Sequence, residues 1–269
     1  MFRILSYNIR YNNPKDGENA WPHRRPRVIE LLNRHQPDLL GLQEVRKEQL
    51  DELAAGLPEF GWVGVGRDDG QEAGEFAAIF YRRGRLRVVA SGSIWLSETP
   101  TVAGSIGWDA SLPRIATWAE FVDVRNAGHF RHVNTHFDHR GMTAQVESAR
   151  LLRRFLAEQT PVLPAIVTGD FNCVEASPPY AALTAFADSA TAPLHDAMHV
   201  SQTPHEGPVG TFNDDFADPL HDKIDYVFVW QPQTGAGGAV QVRRHAILAD
   251  QQNGRYPSDH LPILAEVLV

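Results

Sequence analysis

The stretch VTGDFNC, residues 167–173, passes from an apolar approach through Gly169 to Asp170 and Asn172, with one residue between acid and amide. Its lead-in LPAIV predicts a buried strand over 163–171, so the polar pair falls where that strand ends. Residues two apart on a strand face the same way, so Asp170 and Asn172 would project together from its tip. An Asx turn closing the strand accounts for the same two residues, because Asp and Asn bond their own backbone two positions on. Which reading holds depends on what the other strands carry at their ends.

The same ending recurs along the chain. FRILSYNI (2–9) reads as a strand closing at Asn8, and PDLLGLQEV (37–45) as one tipped by Gln43 and Glu44. FRHVNTHF (130–137) ends at His136, with Asp138 and His139 just beyond; KIDYVFVW (223–230) carries Asp225 at its start; PILAEVLV (262–269) follows Asp259 and His260. Further strands are predicted at 76–82, 85–96, 115–124 and 240–248, and helices at 25–35, 46–57, 143–159 and 178–186. Residues 97–114 form a long loop marked by Gly and Pro, and QTGAGGA (233–239) reads as a hairpin turn. Strands with a few interleaved helices predict a mixed α/β (α+β) class, and no repeat or linker divides residues 1–269, which are expected to form one domain.

Bulk properties narrow the function. The 269 residues are 43% hydrophobic and 22% charged, an ordinary globular balance. The lone cysteine, Cys173, excludes an internal disulfide framework and a cysteine-rich zinc site, and fits a reducing compartment. No run approaches the roughly 18 to 20 apolar residues of a membrane span. Met1 leads straight into a strand pattern with no signal peptide, so the cytoplasm is the expected compartment, with secretion the alternative if a leader was trimmed. A net charge of −8 argues against broad affinity for long nucleic acids, although an acidic protein binds phosphates when cations screen its carboxylates. The default expectation for assembly is a monomer.

Six polar tips buried separately would be costly, because each unpaired charge forfeits its hydration. A shared cation at the sheet edge removes that cost, and oxygen donors without cysteine suit Mg²⁺ or Mn²⁺. In content and order the motifs SYNIR (6–10), LQEV (42–45), NTHFDH (134–139), GDFN (169–172), IDYVFV (224–229) and SDHLPI (258–263) make the chain resemble the endonuclease/exonuclease/phosphatase superfamily. That superfamily includes pancreatic-type deoxyribonucleases, apurinic-site endonucleases, sphingomyelinases, inositol polyphosphate phosphatases and deadenylases. Within it, residues 96–118 (LSETP, GWDA, Arg114, TW) look most like bacterial hydrolases of unassigned substrate.

The resemblance implies a four-layer sandwich of two packed, mostly antiparallel β-sheets flanked by helices, with the site at one edge. It implies that Glu44 binds the metal with help from Asn8 and Asp259. Asp170 would contact or activate the attacking water, and Asn172 would hold that water or the phosphate in line. His136 would bond a phosphoryl oxygen as charge builds. His260 would be general base or phosphate ligand, with Asp225 fixing its tautomer. Some nucleases of the superfamily carry an Asp where this chain has Arg10, so a second metal at that corner is not expected and Arg10 is free to meet substrate phosphate.

Each assignment has a plainer rival: Glu44 as a cap for the following helix, Asn8 as a turn residue, Asp225 as a surface acid paired with Lys223, His260 as a loop histidine. Arg114 is a candidate for phosphate binding. Trp108 and Asp109 form either a substrate wall or a loop anchor, and Asp138 and His139 either support the site or are solvated. His195, His199, His205 and His221 match no familiar zinc spacing. The basic runs HRRPR (23–27) and RRGRLR (82–87) are expected to be solvated faces. The function expected is divalent-metal-dependent phosphoester hydrolysis, with a phosphodiesterase or nuclease ranked first and a hydrolase of a small phosphorylated metabolite or lipid head group second. The reading from another class is a non-catalytic binding module on the same fold.

Overall fold

The computed structural model describes residues 1–185, 191–232 and 240–269; the hairpin expected at 233–239 lies outside them. The chain runs β1 (Phe2–Asn8), a 3₁₀ turn (Pro14–Asn19), α1 (Trp21–His35), β2 (Leu39–Val45), α2 (Lys47–Gly56), β3 (Phe60–Val63), β4 (Phe76–Arg82), β5 (Leu86–Trp95), β6 (Ile115–Asp123) and β7 (His129–His136). It continues with α3 (Met142–Glu158), β8 (Ala165–Asp170), α4 (Pro178–Thr184), β9 (His195–Asp196), α5 (Ala197–Val200), β10 (Asp225–Trp230), β11 (Gln241–Ile247) and β12 (Ile263–Leu268).

Two six-stranded sheets form, in the orders β11-β12-β1-β2-β4-β3 and β5-β6-β7-β8-β10-β9. Each has a single parallel pair, β1 with β2 and β7 with β8, so the expectation of mostly antiparallel sheets holds. Period-two patterning explains the layers. In β2, Leu39 points into the inter-sheet core with Ile4, Ile79, Phe130 and Ile166, while Leu40 and Leu42 pack outward on Val28, Leu32, Leu50 and Leu53 of α1 and α2. On the other side Val133, Val167 and Phe228 pack on Leu152 and Leu156 of α3 and Leu183 of α4. The outcome is helix, sheet, sheet, helix.

A polar knot ties the sheets together. The Asn134 amide donates to the carbonyls of Leu42 and Ala78 at 2.9 Å each, and its oxygen accepts from Gln43 (2.6 Å) and the Thr168 hydroxyl (2.9 Å). Gly41 makes room: a Cβ there would stand 2.0 Å from Thr168 Oγ1.

Topology decides where the tips go. In a parallel pair both strands end on the same side, and the registers set Asn8 beside Gln43 and His136 beside Asp170. The antiparallel neighbours begin where those strands finish: Asp225 pairs with Asp170, and β12 starts with Ile263 opposite Ser6, just after Asp259 and His260. One edge of the sandwich therefore collects every predicted tip.

Both basic runs depart from expectation. Arg24 is completely buried; its guanidinium donates to the carbonyls of Ile9 (2.8 Å), Pro257 (2.9 Å), Arg10 (3.1 Å) and Asn19, fastening the end of β1 to the segment before Asp259. Arg85 is buried against Asp123 through two 3.0 Å bonds. Both cations are buried because acceptors saturate them, which charge patterning does not reveal.

Candidate active site

A cleft of about 620 Å³ opens at that edge; its lining includes Arg10, Glu44, Asp170, Asn172, Asp259 and His260 together with Arg46, Arg67, Glu75, Arg114 and His139, and His136 lies near both Asp170 and Glu75. Asn8 is buried beneath the acidic part of this lining. Its Nδ2 donates to Asp170 Oδ2 (2.9 Å) and Glu44 Oε1 (3.1 Å) and stands 3.4 Å from His260 Nε2. Its Oδ1 accepts the Arg10 N–H at 3.0 Å. Glu44 reaches the site because β2 shifts register between Leu42 and Val45, leaving Glu44 at a left-handed φ of 61°. It accepts from Tyr11 N–H (3.0 Å) and does not cap α2, whose entry is held by Gln49.

Asp170 and Asn172 combine both sequence readings. β8 ends at Asp170, whose Oδ1 accepts the Asn172 N–H at 2.9 Å in an Asx turn, leaving Oδ2 to the site. Asn172 is not on the strand: at φ 49° it turns to line the cleft, and its Nδ2 donates to Phe137 O (3.1 Å). Asp225 is buried and bonded through Oδ2 to His260 Nδ1 at 2.8 Å, while its Oδ1 has no hydrogen-bond partner. Lys223, the rival partner for Asp225, pairs instead with Asp196 (2.8 Å) and Glu175 (3.1 Å).

Burial sets the electrostatics. Removal from water, reinforced by Asp225 and opposed by His260, pushes the Asp170 carboxyl up to about 7. Burial works against a charged His260, but the Asp225 and Asp170 carboxylates outweigh it and raise this imidazole well above its ordinary value. Burial and the Arg114 and Arg67 guanidinium groups hold His136 well below, so it is neutral. Burial and Glu44 raise Asp259, while Glu44 itself, despite burial, is held low by His260, the Tyr11 N–H and Asn8.

These residues fit a divalent cation. Glu44, Asp170 and Asp259 bring three carboxyl groups to the cleft lining beside Arg10 and His260, with Asp225 buried behind His260, an oxygen-rich donor set of the kind a hard cation takes. Asp170, Asp225 and His260 also each place a ligand atom within 4.8 Å of the others, but His260 and Asp225 satisfy one another, so this trio reads better as a proton-handling group. A second such trio, Glu175, Asp196 and His199, is filled by the Lys223 ammonium.

The remaining candidates separate. Arg10 lines the cleft but is engaged by Asp16 (3.2 and 3.3 Å) and Asp259 (3.5 Å). Arg114 and His139 line it too, with Arg114 Nη2 3.0 Å from His139 Nδ1. Asp138 lies behind, accepting from the N–H groups of Ser111, Arg140 and Gly141 and the Ser111 hydroxyl. Trp108 is not among the cleft-lining residues; its N–H donates to Glu98, and Leu112 is the part of its loop that reaches the wall. Asp109 anchors that loop on the first turn of α3, accepting from Thr143 and Ala144. The four histidines of the polar stretch do not converge: His199 meets Glu175, His205 meets His245, and His221 meets Asp214, while His195 is exposed on β9. Sequence reasoning missed Arg46, Arg67 and Glu75. For Arg67 and Glu75 the sequence signal was the segment GRDDGQEAGEF (66–76), which has no periodicity, and Arg46 directly follows the LQEV motif (42–45).

Comparison with known proteins identifies the family and the fold. The model of the Endonuclease/Exonuclease/phosphatase family matches residues 5–260. A crystal structure of an endonuclease/exonuclease/phosphatase from Bacteroides vulgatus is 40% identical, with a TM-score of 0.91 over 100% of this chain and 98% of that one. A Bacteroides thetaiotaomicron protein named a mannosyl-6-phosphatase is 35% identical, with a TM-score of 0.90 over 100% of both chains. Two uncharacterized proteins of Acanthamoeba polyphaga mimivirus are each 30% identical, over 184 and 117 residues; this chain spans 66% and 17% of their lengths. A chain that carries the family's motifs in order, gathers them at one sheet edge and matches its model from residue 5 to residue 260 belongs to the endonuclease/exonuclease/phosphatase family.

Proposed function

We propose that this chain is a divalent-metal-dependent phosphoester hydrolase that attacks phosphorus with water, and that its substrate is a small phosphorylated molecule. The observation that carries the chemistry is the convergence of Glu44, Asp170, Asp259 and His260 in the cleft lining, tied together from beneath by Asn8 and, through His260, by the buried Asp225. Glu44 and Asp259 would hold the cation, with Asp170 and Asn8 beside them. Such an ion supplies positive charge against the phosphoryl oxygens.

The chain's own groups divide the remaining work. Asp170 Oδ2, on a carboxyl poised near neutrality, accepts the proton of the attacking water. Asn172, turned into the cleft, orients that water or the phosphate. His260 keeps its proton between two carboxylates and offers Nε2 as a donor to a phosphoryl oxygen or to the departing one. His136, neutral, sits 3.4 Å from Asp170 and is a further donor to developing charge.

A small substrate is favoured over a polynucleotide by three observations: a bounded cleft of about 620 Å³, a net charge of −8, and the full-length likeness to a protein named a mannosyl-6-phosphatase. That likeness also raises a monoester above the diester ranked first on sequence. The test is a panel of sugar phosphates, other phosphomonoesters, bis-p-nitrophenyl phosphate and oligonucleotides, run with Mg²⁺ or Mn²⁺, with chelator, and with Asp170→Ala in parallel. Turnover of small esters that needs the cation and Asp170 is expected. Turnover confined to oligonucleotides overturns the substrate reading, and no turnover of any ester favours a binding module.

A further inference from the structure

We propose that the arginine-rich part of the cleft lining is a second anion subsite, built on Arg114 with Arg67 and His139 beside it, and that the substrate carries a second anionic group in addition to the phosphoester that is cut. This rests on the hydrolase reading above and names its substrate class.

Arg114 is only 4% exposed, yet its Nε and Nη1 have no hydrogen-bond partner. Nη2 alone is bonded, to His139 Nδ1 at 3.0 Å. Burial and the neighbouring guanidinium hold His139 below its ordinary value, so this imidazole is a neutral acceptor that brings no charge. The nearest carboxylate, Asp138, lies 3.6 Å from Arg114 Nε, and its oxygens already accept from the N–H groups of Ser111, Arg140 and Gly141 and the Ser111 hydroxyl. A guanidinium is a planar fork of donors that never discharges, and leaving its N–H groups unmade in a buried site is costly. Both atoms are also closed to solvent, so an anion in the cleft supplies the missing acceptors once the Arg114 side chain turns towards it.

Arg67 strengthens the same pole. It is 6% exposed, its Nε also lacks a hydrogen-bond partner, with Asp68 3.8 Å away, and its fork grips Glu75 at 2.6 and 3.1 Å. Glu75 is in turn 3.8 Å from Arg46.

The position of this wall separates it from the reacting centre. His136 stands between the two poles, with Nε2 3.4 Å from Asp170 and Nδ1 3.9 Å from Glu75. Arg67, Glu75 and Arg114 share a recess with the Glu75 side of that ring. Arg114 and Asp170 line the same cleft as this imidazole, so one small molecule is expected to span both groups. A bidentate guanidinium contact suits a phosphate or carboxylate equally well.

The test uses the full chain with Mg²⁺ and non-hydrolysable probes: alkane-α,ω-bisphosphonates of increasing chain length against alkylphosphonates of matching length, measured by titration calorimetry. At the best length the bisphosphonate is expected to bind about 10–100-fold tighter than its partner, the value of one or two charge-assisted bonds. Arg114→Gln should bring the two affinities within about threefold, whereas Arg114→Lys, which keeps the charge, should retain part of the gap. Equal affinities in the wild type overturn the proposal. So does an equal loss of both probes in Arg114→Gln, since that would make Arg114 a ligand of the reacting phosphate. Should the Gln variant fail to fold, the wild-type ratio and the Lys variant decide. A persistent gap without turnover of any phosphoester supports the subsite and sinks the hydrolase reading alone.

Discussion

His260 Nδ1 lies 2.8 Å from Asp225 Oδ2, while its Nε2 faces Asn8 Nδ2 at 3.4 Å and Asp170 Oδ2 at 3.8 Å. The imidazole is tied on one side and offered on the other, and the two carboxylates hold its proton. An imidazole that acts protonated loses activity as pH rises through its pKa. Asp225→Asn removes one of the charges that raise that pKa. The turnover number is expected to fall about 10²–10⁴-fold, and the alkaline limb of the pH–rate profile to move to lower pH. A limb that stays in place would show that Asp225 does not tune His260.

Asp170 carries the opposite sign. Its folded-state pKa, about 7, lies above the ordinary carboxylate value, so the folded state binds its proton more tightly than the unfolded chain does. Charging Asp170 therefore costs stability as pH rises from the ordinary carboxylate range to about 7, and the full cost remains above that. In cation-free protein, Asp170→Asn removes that cost and should raise the stability above pH 7 by up to a few kcal/mol (~1.4 kcal/mol for each pH unit of displacement), read as a higher melting temperature, while activity nearly vanishes. Calorimetric melts at pH 5 and pH 8 with chelator present check this; a loss of stability at pH 8 would refute it.

Cation binding should be visible without turnover. The cleft lining carries Glu44, Asp170 and Asp259, and an ion that binds only the folded state stabilises it, by about 2.7 kcal/mol at a hundredfold excess over its dissociation constant. Millimolar Mg²⁺ or Mn²⁺ is expected to raise the melting temperature of wild type, and Glu44→Gln to remove most of the rise. An unchanged rise in the variant would take Glu44 out of the ligand set.

Far from the cleft, His132 is completely buried; its Nε2 stands 2.8 Å from Thr168 Oγ1, and its Nδ1 has no partner. Thr168 spends its hydroxyl proton on Asn134, so His132 is the donor to it and stays neutral. Burial lowers its pKa to about 3. The unfolded chain takes up this proton near pH 6.5, so the stabilising contribution is complete above that value and is lost as pH falls towards 3, at up to ~1.4 kcal/mol per pH unit. His132→Gln should flatten that acid slope in urea unfolding series between about pH 7 and 4.5. An unaltered slope would place the acid sensitivity elsewhere.

Elements that were legible in the sequence are those whose polar tips interrupt a strong apolar period. β1, β2, β7, β8, β10 and β12 all end or begin within a few residues of the expected position, because burial of alternate or continuous apolar side chains leaves little choice of register. β3 went unseen: FGWV is four residues long with a glycine inside, too short for any period to show, and it exists because β4 offers it an edge. Arg24, read as part of a solvated run, is buried because the carbonyls that saturate it come from residues 9, 10, 19 and 257. No local pattern announces acceptors that arrive from so far along the chain.

By itself, the sequence determined the alternation that makes two sheets with helices outside them, and the residue types Asn8, Glu44, His136, Asp170, Asp225, Asp259 and His260 from which a phosphohydrolase site can be made. Tertiary structure decided the rest. Two parallel pairs brought those tips to one edge, a register shift in β2 turned Glu44 inward, and long-range packing set Arg67, Glu75 and Arg114 in the same cleft. The physical reason is range: burial patterns act between neighbours in sequence, whereas the field at a buried charge is set by groups that only the folded chain brings within a few ångströms.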